Sequence, residues 1–68
     1  MAWAKPKKED VESALVYSGA YGFRYSLRDA DGKVIWEAPH PFRSRYHAIE
    51  EIKKRWGLLA NRISTEVG

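Results

Sequence analysis

The sequence predicts an α+β fold: a three-stranded antiparallel sheet (β-β-β) followed by one amphipathic helix packed on one face. Three observations predict it. Residues 23–29 alternate strictly between apolar and polar side chains. Ala30, Asp31 and Gly32 then supply the turn residues of a tight hairpin. Behind Ser44, the residues Ala48, Ile49, Ile52 and Trp56 recur at helical spacing.

Residues 11–18 hold β-branched and aromatic side chains in rough alternation, which predicts a first strand. Val11, Ser13, Leu15 and Tyr17 fall on one side of it, Ala14 and Val16 on the other. Gly19 and Gly22 bracket a short connection holding Ala20 and Tyr21. In the second strand Phe23, Tyr25 and Leu27 form the core face, and Arg24, Ser26 and Arg28 the outer one. A three-residue loop with Gly32 in the left-handed conformation sets Asp29 opposite Lys33. Counting back places Leu27 opposite Ile35, Ser26 opposite Trp36 and Tyr25 opposite Glu37, so that Ile35 points inward and Trp36 outward. The competing two-residue Asp-Gly turn would bury Trp36 instead, because a one-residue slip exchanges the faces of a strand. The longer loop is favoured because it keeps an aliphatic side chain beside Leu27.

Pro39, His40 and Pro41 end the third strand as a stiff connector, since two of the three lack an amide for the ladder. Ser44 reads as the helix N-cap. Glu50 with Lys54 and Glu51 with Arg55 are acid-before-base pairs at i,i+4 spacing, and Lys53, Lys54 and Arg55 suit a helix C-terminus. Gly57 is a natural stop, yet the apolar spacing continues through Leu59 to Ile63, so the helix either ends at Gly57 or runs to about Ile63. Residues 1–10 read as a flexible basic arm containing Trp3, residues 11–63 as a single α+β domain, and residues 64–68 as a tail.

With 68 residues and no cysteine, the chain has neither disulfides nor a thiolate metal site to support a small core, so oligomerisation is the expected staple. Its net charge of +3 is uneven: +3 over residues 1–8, −3 over 9–22, zero over 23–42, +4 over 43–62 and −1 at Glu66. The apolar runs fall far short of the roughly 20 residues that cross a bilayer, and the N-terminus lacks a signal-peptide core, which makes a cytoplasmic protein without a membrane partner the expectation.

His40 and His47 have neither the spacing nor the company of a zinc site. No nucleophile elbow, paired-carboxylate cleft or glycine-rich phosphate loop is written in the chain, so no enzyme activity, cofactor, metal or small-molecule substrate is expected. The signal lies on the outer sheet face, where the expected register groups Arg24, Arg28, Val34 and Trp36, with Ala14 or Val16 nearby. An apolar surface with arginines suits a macromolecular partner. Self-association into a homodimer anchored by Trp36 is the leading reading, that is, a non-enzymatic protein-binding module. The alternatives are nucleic acid, held by the sheet face and the basic helix, and an acidic protein partner. The candidate binding residues are Arg24, Arg28, Trp36, Arg43, Arg45, Lys53 and Lys54.

The pattern F-R-Y-S-L-R-D-A-D-G-K-V-I, followed by F-R-S-R-Y-H-A-I-E-E-I-K, resembles the YegP-like domain family across roughly residues 16–54. The resemblance implies a short unit of three antiparallel strands and a helix, present as tandem copies or as a single copy that pairs with another chain. It carries over no catalytic residue. This sequence holds one copy, which favours a homodimer, and it departs from the pattern at Trp36, the Pro39-His40-Pro41 connector, Trp56 and the Trp3 arm. A looser similarity is to the N-terminal arm-binding domain of tyrosine recombinases, whose sheet face enters DNA. Here the hairpin is charge-neutral, with Asp29, Asp31 and Glu37 against Arg24, Arg28 and Lys33. Small size without catalytic chemistry also fits an accessory protein of a phage or mobile element that inhibits a host complex.

Overall fold

Alternating side chains on either side of a tight turn make the central hairpin of the protein. In a computed structural model, which describes residues 5–66, β1 (Ser13–Gly19) and β2 (Gly22–Arg28) pair antiparallel from Gly19 opposite Gly22 to Ser13 opposite Arg28. β3 (Val34–Glu37) adds antiparallel to β2. The helix α1 (Arg45–Glu51) packs on β1 and β2, and β4 (Ile63–Thr65) joins β1 in parallel, giving the order β3-β2-β1-β4. The fold is therefore α+β, but its sheet is four-stranded and mixed where three antiparallel strands were expected. β3 and β4 run in the same direction, and such strands need a crossover connection, which the helical segment supplies. Ser64 and Thr65, expected in a tail, pair with Leu15 and Val16. Trp3 lies outside the described residues.

Ser44 caps the helix as its position predicts, its Oγ accepting the His47 N–H while its backbone stays extended. Beyond Glu51 the helix widens into a π-helical turn, Ile52–Trp56, and stops at Gly57, which takes a left-handed φ of 67° and donates its N–H to Lys53 O. Of the two endings open to the sequence, the earlier one holds. Glu51 pairs with Arg55 at 3.5 Å as the spacing predicts, whereas Glu50 meets Lys53 at 3.7 Å rather than Lys54.

The second hairpin closes through the expected loop. Asp29 donates its N–H to Lys33 O, Gly32 donates to Asp29 O, and Asp29 Oδ1 accepts the N–H groups of Asp31 and Lys33. The register then breaks. Arg28 faces Val34 but Leu27 faces Trp36, so Ile35 is the extra residue of a β-bulge. Everything beyond it changes face: Trp36 turns inward and is only 8% exposed. This corrects the expectation of an outward Trp36, which assumed an unbroken ladder. Pro39, His40 and Pro41 then leave the sheet, and Phe42 rejoins it opposite Phe23 through a reciprocal pair of backbone bonds.

The core fills the space between the sheet and the helix. Val16, Tyr25, Leu27, Ala48 and Ile52 are fully buried, and Ala14 and Trp56 are nearly so. Ala14 and Val16 therefore face the core and not the outer surface, because the hairpin register sets them beside Leu27 and Tyr25. Aromatic rings dominate the centre: Tyr25 lies 5.8 Å from Trp36 and 5.7 Å from Phe42, and Trp36 lies 5.4 Å from Trp56. No helix among the described residues is long and apolar enough to cross a membrane.

Gly22 is required twice over. Its φ is 141°, and a Cβ there would stand 2.6 Å from Phe42 O. Gly22→Ala is expected to destabilise by about 2–4 kcal/mol, against about 1–2 kcal/mol for Gly57→Ala, where only the left-handed backbone is at stake and the space is open. Urea melts of the two variants compare these costs, and equal losses would contradict the close approach at Phe42. Trp36→Ala leaves a cavity between Tyr25 and Trp56, with an expected loss of about 3–5 kcal/mol. A native midpoint in the same melts would return Trp36 to the surface.

Candidate binding surfaces

Tyr25 brings a hydroxyl into the centre of the core. Its hydroxyl accepts the Trp56 Nε1–H at 3.2 Å and donates to Glu51 Oε2 at 3.2 Å. Glu51 also holds Arg55. Burial is the main cause that pushes the Tyr25 hydroxyl up to about 12, and nearby Glu51 adds to it. A phenol kept neutral in this way is a structural pin rather than a nucleophile or base at neutral pH.

Among the described residues, no helix or strand covers the opposite face of the sheet. Strand alternation and the β1–β2 register place Leu15, Tyr17, Arg24, Ser26 and Arg28 there, with Glu37 beside Ser26 and Val34 beside Arg28. Leu15, Tyr17, Arg24, Arg28 and Val34 are each half-buried by their neighbours, and Ser26 is buried beneath them. The Tyr17 hydroxyl is raised by partial burial and by Glu37, with Arg24 opposing. Both signs of charge thus flank an aromatic and an aliphatic side chain. Arg28 Nε is buried without a hydrogen-bond partner among the described residues.

The seven candidate residues do not form one surface. Arg24 and Arg28 share the open face, while Trp36 is in the core on the other side. Arg43 and Arg45 sit where the chain passes from the Phe42 bridge into α1, Arg45 with its guanidinium 5.0 Å above the Phe23 ring. Lys53 and Lys54 are exposed on the π-helical turn, with Lys53 paired to Glu50. Sequence reasoning missed Tyr17 and Glu37 on the open face. The signal for Tyr17 was present: the Gly19-to-Gly22 turn sets Tyr17 opposite Arg24. Glu37 was hidden by the bulge.

At the far end of the sheet a shallow cleft is lined by Glu9, Asp10, Glu12, Asp29 and Asp31 together with Lys5. No metal-holding group of three or more His, Cys, Asp or Glu residues occurs among the described residues. Arg62 pairs with Glu12 beside it, which ties the approach to β4 to the start of β1.

The Tyr25 environment gives a pH dependence with a definite sign. Its neutral form is favoured in the fold, so the stabilisation is fully present below the ordinary tyrosine value of 10.0 and is lost as pH rises from there to about 12. Ultraviolet titration of tyrosinate is expected to show a tyrosine ionising at about 12 that disappears in Tyr25→Phe, together with a shallower alkaline loss of stability in that variant. An unchanged titration would remove Tyr25 from the buried site. The chain has no match among protein-family models, curated proteins or solved structures.

Proposed function

We propose that the protein is a non-enzymatic binding module that pairs with a second copy of itself through the open face of its sheet. The observation that carries this reading is the composition of that face. Arg24 and Arg28 lie near Glu37, around half-buried Leu15 and Tyr17, so the face carries both signs of charge that pairing with its own copy about a two-fold axis requires. A purely basic face would repel its own copy. The half-buried Leu15 and Tyr17, which no described element covers, support the same reading. So does the YegP-like resemblance, in which a single copy pairs with another chain.

The face is only four short strands wide, at about 4.8 Å per strand. It falls at the small end of the roughly 1,200–2,000 Å² of a stable interface. The dimer is therefore a concentration-dependent one.

Light scattering across a concentration series tests it. The wild type is expected to shift from monomer to dimer, Arg28→Glu and Glu37→Arg each to weaken the shift by about tenfold or more in dissociation constant, and the double variant to recover it. A chain that stays monomeric throughout, or one whose association ignores both reversals, would remove the sheet face as the interface.

A further inference from the structure

A separate surface lies at the end of the sheet where the β1–β2 turn meets the chain entering α1. Tyr21, at the tip of that turn, is 85% exposed, and Tyr46, in the first turn of α1, is 66% exposed. Neither ring adds to the core, and large exposed aromatic rings do nothing for the stability of so small a domain. Arg43 and Arg45 lie on the segment between them, both exposed and neither in an ion pair among the described residues. His47 packs edge-on against Tyr46, and His40 is exposed on the neighbouring connector. Residues 38–49 and 17–28 contain no Asp or Glu. Five of the nine acidic side chains, Glu9, Asp10, Glu12, Asp29 and Asp31, line the cleft at the far end of the sheet, Glu37 belongs to the open face beside Ser26, and Glu50, one helical turn beyond Tyr46, is paired to Lys53.

The segment is also held still. Phe42 is bonded to Phe23 on both sides of its peptide, Pro41 packs against Gly22, and Arg45, itself exposed, is seated over the Phe23 ring. Pro39 and Pro41 stiffen the connector.

We propose that this end of the protein is a binding site for single-stranded nucleic acid, with Tyr21 and Tyr46 as stacking platforms for bases and Arg43 and Arg45 as phosphate contacts. Exposed aromatic rings interleaved with cations that no carboxylate neutralises are what a single strand requires, because every base offers a face to stack and every linkage a negative charge. Paired bases in a duplex present no such face. An acidic peptide would use the arginines but has no need of the tyrosine rings, so dependence on the rings separates the two ligands.

The test is fluorescence anisotropy with a labelled mixed-sequence DNA dodecamer, single-stranded and duplex, and with a labelled oligoglutamate peptide. Arg28→Glu serves as the background, so that self-association through the sheet face does not enter. Single-strand affinity is expected to exceed duplex affinity, and to fall roughly five- to tenfold between about 50 and 200 mM salt as two phosphate contacts are screened. Tyr21→Ala and Tyr46→Ala are each expected to weaken binding at least fivefold, while Tyr46→Phe and Lys54→Ala leave it unchanged. The altered side chains are exposed, and circular dichroism confirms that each variant is folded. Tighter binding to duplex or to oligoglutamate, no binding to the single strand, or indifference to both tyrosine substitutions overturns the proposal.

Discussion

The Tyr25 hydroxyl is the point on which the rest of the structure depends. It is a polar group surrounded by aromatic rings, and leaving it unbonded there would cost on the order of 1–3 kcal/mol. Two partners from one helical segment satisfy it: Trp56 donates and Glu51 accepts. Those bonds fix the height and rotation of the helix above β2. They also give a physical use for the π-helical turn, which rotates Trp56 under the sheet, and for the bulge at Ile35, which delivers Trp36 between Tyr25 and Trp56. In a chain of 68 residues the margin from apolar burial is thin, and this cluster concentrates it in a few large side chains.

Closing one side of the sheet so completely leaves the other side and the ends to meet partners. Charge is sorted accordingly. The open face carries both signs, the end at the Phe42 bridge carries arginines with exposed tyrosines, and the opposite end gathers five of the nine carboxylates. A net charge of +3 conveys none of this, because it averages surfaces of opposite character.

Local chemistry was legible in the sequence where a single residue suffices to set the backbone. Ser44 as cap, the loop from Asp29 to Lys33, and the core face of Phe23, Tyr25 and Leu27 each follow from side-chain type and spacing. What resisted reading was non-local. Nothing in Val34, Ile35 and Trp36 announces an extra residue, since a bulge is chosen by the fit of the indole against Trp56 and not by the strand itself. β4 was hidden for a related reason: three residues are too few to show a period, and their strand character depends on a vacant edge of β1. Of the candidate site, the arginines were legible by type, but their grouping was not. One displaced tryptophan moved the expected anchor to the other side of the sheet.

β4 gives the architecture a removable latch. It is three residues long, its Ser64 and Thr65 side chains are exposed, and it is held by the parallel ladder to β1, the Glu66 amide on Val16 O, the Arg62–Glu12 pair and a single half-buried apolar side chain, Ile63. Elements with so little apolar anchorage are the first to open in local fluctuations. When β4 lifts, the centre of the molecule stays intact, since Tyr25 and its partners lie elsewhere. What is uncovered is the backbone rim of β1, a row of unpaired donors and acceptors with Ala14 and Val16 still locked beneath it. The short strand is thus a guard on the longer one, and its undocking exchanges a three-residue edge for the edge of β1, on which a strand from another molecule can align.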